Sequence, residues 1–149
     1  MQPRVEHSVT VPVPIEVAFD AFQDLERLLY RGVYDEATWT EGKPWQIGSR
    51  IRYVIVQPVR VTVSAVVTSI NPPYSIELLN HGLGVTAEQH VYFTPNHQGG
   101  TRIRVTMNLI GKSFDLSESE LNSAADFILK DALDTVVASC QKRQRHSSD

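Results

Sequence analysis

The chain's 149 residues are 42% apolar and 21% charged, ordinary proportions for a soluble globule with one substantial core, so a single domain over residues 1–149 is expected. A net charge of −3 provides no broad basic field, which argues against nucleic acid as a partner. No apolar run approaches the ~20 residues that span a bilayer, and "MQPRVEHSVTVPVP" has no long apolar core behind a basic start, so the cytoplasm is the expected compartment.

Residues 5 to 11 alternate, with Val5, His7, Val9 and Val11 on one side and Glu6, Ser8 and Thr10 on the other, the pattern of a half-buried strand. "VPIEVAFDAFQDLERLLY" follows. Pro14 suits a first helical turn, where its missing N–H would be unpaired anyway. Val17, Phe19, Phe22 and Leu25 form an apolar stripe on one or two short helices, and Gly32 interrupts them.

From Trp39 onward the pattern is that of strands. "SRIRYVIVQPVRVTVSAVVTSI" is dense in β-branched residues. Pro58 lacks a donor and belongs at a turn or edge, which divides the stretch into strands at about 50 to 57 and 59 to 70. Their register stays open. A two-residue turn at Pro58-Val59 sets Val56 opposite Arg60 or nearby, whereas matching the faces asks for a bulge. "NPP" at 71 to 73 stops the second strand, "YSIELLNH" makes a third, and "GLG" at 82 to 84 is a flexible connection.

"AEQHVYFTPNHQGGTRIRVTMNLIG", residues 87 to 111, reads as two strands about the turn "TPNHQGG". Ile103, Val105, Met107 and Leu109 share one face of the second strand. An antiparallel pair keeps a face together only when partner numbers sum to an even value. The apolar face therefore calls for Gln89, Val91 and Phe93 beside it, which makes Gln89 the inward polar residue and leaves His90 and Tyr92 outside. A long helix ends the chain. Ser117 and Glu120 form the S-x-x-E pattern of a capping box, and Leu121, Ala125, Ile128, Ala132, Leu133 and Val136 recur at helical spacing. The order is strand, two short helices, about six strands and a long helix. It specifies an α+β domain in which a curved antiparallel sheet wraps a long C-terminal helix. One helix cannot fill so curved a sheet, and the gap becomes an apolar cavity.

Four stretches in this order, "VTVPVPIEVAFDAFQDLE", "WQIGSRIRY", "VVTSINPPYSIEL" and the strand pair above, resemble the polyketide cyclase/dehydrase-like branch of the START/Bet v 1 (SRPBCC) superfamily. The likeness runs over about residues 5 to 140. Its marks are Gly48-Ser49, Pro72-Pro73 and Gly99-Gly100-Thr101. The resemblance implies a helix-grip fold with a hydrophobic ligand cavity. It implies less about activity, because the superfamily mixes cyclases, lipid carriers, receptors and co-chaperones.

The candidate site follows from face and type. Val91, Phe93, Val105, Met107, Ile128 and Ala132 line the expected cavity. Gln89 and Tyr53 supply hydrogen bonds, Gln89 to a ligand, to a cavity water or to a helix side chain such as Asn122 or Ser123. Trp39 and Trp45 bracket "TEGKP" and either close the mouth, with Phe22 and Tyr30 opposite, or pack the core edge. Glu77 interrupts an apolar strand. A carboxyl in an apolar cavity has its pKa raised and serves as acid or base, but Glu77 more simply alternates outward, as strand polar residues do. His7, His81, His90, His97 and His146 show no metal-ligand spacing, so neither metal nor cofactor is expected. Lone Cys140 excludes a disulfide within the chain and reads as a buried thiol. The basic "QKRQRH" at 141 to 146 is a solvated helix end or a binding patch. The expected partner is a small hydrophobic molecule, lipid- or polyketide-like, in a carrier or in a cyclase/dehydrase-type enzyme. A protein-interaction module using Tyr92, Arg102 and Arg104 is the remaining alternative. Oligomeric state has no signature here.

Overall fold

The computed structural model describes residues 4–112 and 117–147, with all side chains among them except those of 118 and 145–147. The predicted His146 side chain thus lies outside the described residues. Strand β1 (Arg4–Val11) opens the chain, followed by α1 (Ile15–Gln23) and a 3-10 helix (Leu25–Tyr30). Six strands come next: β2 (Tyr34–Glu41), β3 (Arg50–Ile55), β4 (Val61–Asn71), β5 (Ser75–Gly82), β6 (Val85–Pro95) and β7 (Thr101–Lys112). Helix α2 (Glu118–Ser147) closes the order. All strands join one antiparallel sheet, arranged β1-β7-β6-β5-β4-β3-β2. The curved sheet grips α2 on its concave face, the helix-grip arrangement.

Pro14 is the N-cap of α1 rather than part of its first turn. Its carbonyl accepts from Val17 and Ala18, both at 3.0 Å. Asp24 leaves the helical region at ψ 102° and ends α1. Its carboxylate then accepts from Glu26 N (3.1 Å), so one residue stops α1 and caps the 3-10 helix. Gly32 follows at φ +78°, a conformation glycine adopts without strain.

The first departure from the sequence reading is β2, which begins at Tyr34, five residues before Trp39. "YDEATWTE" carries many polar residues because it is an edge strand with solvent beside it, so its alternation is weak. The second is the β3–β4 hairpin. Its strands end at Ile55 and resume at Val61, so the connection is five residues, 56 to 60, rather than two. Ile51 faces Ala65, Tyr53 faces Val63 and Ile55 faces Val61, which matches the faces with no bulge. The third is "GLG". Gly82 pairs with Val85, and Leu83 (φ +50°) and Gly84 (φ +68°) make a tight two-residue turn with both φ positive, the type I′ geometry suited to hairpins.

The parity argument for β6 and β7 holds. Gln89 faces Met107, Val91 faces Val105 and Phe93 faces Ile103. A bulge near Ile110 shifts the register only beyond Ala87. Ser117 Oγ accepts from Glu120 N (3.1 Å) at the start of α2, the N-cap bond that the sequence signalled.

Packing divides into two clusters. Phe19, Ile76, Val91, Phe93, Ile103 and Leu133 centre the larger one, beneath α1 and the later half of α2. Leu25, Leu28, Ile51, Tyr53, Ile55 and Ala65 centre the smaller, beneath the 3-10 helix. Cys140 is fully buried in the larger, as expected of an inert thiol. Near the predicted basic tail, Arg143 reaches back to Asp20 and fastens α2 to α1. Among the described residues no helix is long and apolar enough to cross a membrane.

Candidate ligand cavity

Trp39 and Trp45 pack against both clusters, but beside them the side chains leave space. That space is a cavity of about 200 Å³. Its sheet wall draws on all seven strands, with Tyr34, Tyr53, Leu78, Gln89, Val105 and Met107 among its residues. The opposite wall is α2, where Ala124, Ala125 and Ala132 stand beside Leu121, Ile128 and Leu129. The three alanines keep that wall shallow, which is why space remains. Phe22, Leu25, Leu28 and Trp45 line it from the side of α1 and the 3-10 helix. Val59 and Leu83, each about half exposed on a hairpin loop, also contribute to the lining.

Trp45 is held by local structure. Its backbone sits at φ +62°, and its indole Nε1 donates to Gln23 O at 2.9 Å. Ser49 Oγ donates to Lys43 O (2.6 Å), and Gly42 at φ +77° lies so close that a Cβ there would collide with Ser49 Oγ. These contacts fold the β2–β3 loop back onto the C-terminus of α1. The indole is thereby placed 6.3 Å from the Phe22 ring, centroid to centroid.

Polar groups are few. Asn80 Nδ2 donates to Gln89 Oε1 at 3.2 Å, so the partner of Gln89 is a strand neighbour rather than Asn122 or Ser123. Asn122 nonetheless faces the same space. Tyr53 stands edge-on to Tyr34, with centroids 5.7 Å apart. Burial pushes the Tyr53 phenol up to about 12 and raises that of Tyr34 further, so both are neutral donors at ordinary pH.

The charged residue at the cavity is one that sequence reasoning missed. Arg27 is only 6% exposed. Its Nε and Nη2 donate to Phe22 O (3.3 and 3.0 Å), and its Nη1 donates to Ala132 O (3.1 Å) and Thr135 Oγ1 (2.7 Å). The guanidinium also lies 4.8 Å over the Phe22 ring. Burial lowers its pKa to about 10, which leaves it charged at neutral pH. In "LERLLY" nothing marks Arg27 as internal, because a 3-10 helix repeats every three residues and the α-helical period does not apply.

Of the predicted site residues, Gln89, Tyr53, Val105, Met107, Ile128 and Ala132 come together on the cavity, as do Phe22 and Trp45. Val91 and Phe93 do not. They face the concave side but sit in solid core, where Phe93 packs edge-on to Phe19 (5.1 Å) and Phe22 (5.8 Å). Trp39 packs edge-on against Trp45 at 5.1 Å and is not in the lining. Tyr30 is 79% exposed at the end of the 3-10 helix and closes nothing. Glu77 takes the outward of its two readings. It points to the outer face, where His90 Nδ1 lies 2.8 Å from its carboxylate, so it is no cavity acid. No aspartate or glutamate is among the residues lining the cavity. Of the other described histidines, His7 meets Asp126 (2.6 Å), His81 meets Thr86 (2.9 Å) and His97 lies exposed in the β6–β7 turn. Among the described residues no three of His, Cys, Asp and Glu gather as metal ligands would.

A family model described as polyketide cyclase / dehydrase and lipid transport matches residues 2–143. No curated protein matches the sequence. Among solved structures, the fold is similar to the Zhui aromatase/cyclase from Streptomyces sp. R1128, with a TM-score of 0.80 and 16% identity over 99% of this chain and 98% of that one. It is also similar to a START superfamily protein from Mycobacterium smegmatis, with a TM-score of 0.74 and 15% identity over 95% and 99%. A conserved protein from Geobacillus kaustophilus gives 0.73 and 18% over 93% and 95%. At these identities the likeness concerns the fold.

Proposed function

The chain belongs to the polyketide cyclase / dehydrase and lipid transport family, and from that premise we propose that it binds a small hydrophobic molecule between its sheet and α2. The observation that carries this reading is the hollow of about 200 Å³ walled by aliphatic and aromatic side chains. Burial of apolar surface supplies the affinity, and few polar groups orient the guest. An apolar cavity of about 150 Å³ already holds a benzene ring, so this one suits a guest of one or two rings or a short chain. A carrier or sequestering role fits the lining better than cyclisation by a carboxyl acid, because Glu77 stands on the opposite face of the sheet.

The test is titration with N-phenyl-1-naphthylamine, an apolar dye that brightens when it leaves water. Saturable binding of one dye per chain is expected. Met107→Trp fills the hollow from the sheet side and should abolish binding while leaving the circular dichroism spectrum intact. Absence of saturable binding to the unmodified protein would refute the reading.

A further inference from the structure

A buried charge is costly unless paired, and the usual partner of a buried arginine is a carboxylate or phosphate. Arg27 has neither. Its four donor contacts go to two backbone carbonyls and one hydroxyl, all neutral. Among the described residues no carboxylate pairs with it. A guanidinium carries five N–H groups, so one on Nη2 remains uncommitted. Two further donors line the same cavity. Neither the Tyr34 nor the Tyr53 hydroxyl has a hydrogen-bond partner among the described residues. Among the described residues the one buried side-chain polar atom without a partner is Asp131 Oδ2, so neither hydroxyl is sealed in the core. Both phenols are therefore open to the cavity space.

The geometry points to an acid-binding subsite at this end of the cavity, where Arg27, Tyr34 and Tyr53 together receive the carboxylate of an otherwise apolar guest. The inference rests on the cavity reading above and narrows it to a chemical class: a small organic acid with a body of one or two rings or a short chain. The contacts from Arg27 to Phe22 O and Ala132 O preorganise the cation, since they tie the guanidinium to α1 and α2 before any guest arrives. The phenols themselves bring no negative charge, because both stay protonated, and the Asp131 carboxylate, whose charge reaches Tyr34, is held by Arg31 at 2.7 Å. A guest carboxylate loses its hydration on entry and regains three donors, one of them charged.

The test compares naphthalene-2-carboxylate with 2-naphthalenemethanol by isothermal titration calorimetry at pH 7 on the full chain. The two share one apolar body and differ in charge. The acid should bind at least about tenfold more tightly, the scale of one charge-assisted hydrogen bond. Arg27→Met should erase that ratio by weakening the acid at least about tenfold more than the alcohol. Because Arg27 also staples two helices, Tyr53→Phe provides a second arm with the charge in place, and it should cut the ratio several-fold. Equal affinity for acid and alcohol in the unmodified protein would overturn the subsite and leave the hydrophobic cavity standing. Binding of neither compound would overturn the cavity reading and the subsite with it.

Discussion

Replacing Ala132 by leucine tests whether the hollow is real. Ala132 lies half-buried on α2 and forms part of the cavity wall. Leucine adds three carbons pointing into space that no side chain fills. At ~0.8 kcal/mol per buried CH₂, full burial contributes about 2 kcal/mol. Ordering the leucine side chain takes back roughly 0.5–1 kcal/mol. A net gain of about 1–2 kcal/mol follows, which raises the melting temperature by roughly 3–6 °C for a chain of this size. The assay is thermal unfolding followed by circular dichroism, with urea unfolding as a second measure. The sign decides the matter. Inserting the same atoms into a packed core forces strained rotamers and costs about 1–3 kcal/mol. A fall in melting temperature for Ala132→Leu would mean that α2 and the sheet already touch there, and the argument from the cavity would fail.

Other outcomes follow from the same geometry. Glu77→Gln removes a partly exposed pair with His90 on the outer face, so dye affinity should be unchanged and stability should move by less than ~1 kcal/mol; a large loss of binding would place that carboxylate in the functional site after all. Gly42→Ala forces a side chain into a positive φ and against Ser49 Oγ, so it should destabilise by at least about 1–2 kcal/mol in urea unfolding and loosen the loop that holds Trp45; a neutral result would show that the loop is slack. Burial pushes the Cys140 thiol from an ordinary 9.0 up to about 11. The folded state therefore keeps a proton that the unfolded chain releases, and stability should fall as pH rises from about 9 to about 11. Cys140→Ser should flatten that segment of the pH profile, whereas an unaltered profile would assign the loss to other groups.

The sheet was largely legible in the sequence because its signal has period two and survives in single strands. Alternation in "TRIRVTMNL" together with an even-sum pairing rule placed Gln89 inward without coordinates. The same rule faltered at β2, whose outer edge meets water and whose side chains therefore vary freely. Aromatic positions were the least readable. Whether Trp39 or Trp45 reaches the cavity depends on how the loop at 42 to 49 folds back, and that path rests on contacts such as the bond from the Trp45 indole to Gln23 O, which no local pattern announces. Arg27 was invisible for a related reason. Two of its acceptors lie on α2, more than a hundred residues along the chain, and no local pattern encodes such a partner.

The strand order carries a kinetic consequence. From β2 to β7 each strand pairs with its successor, so these contacts form across short connections. β1 is different: Arg4 lies opposite Asn108, and about two thirds of the sequence must be looped to bring them together. Loop closure over such a span must precede the contacts that reward it. Docking of β1 should accordingly be the slow step of refolding, on the millisecond-to-second scale of distant pairings, and a peptide lacking residues 1–11 should leave β7 as a bare, aggregation-prone edge.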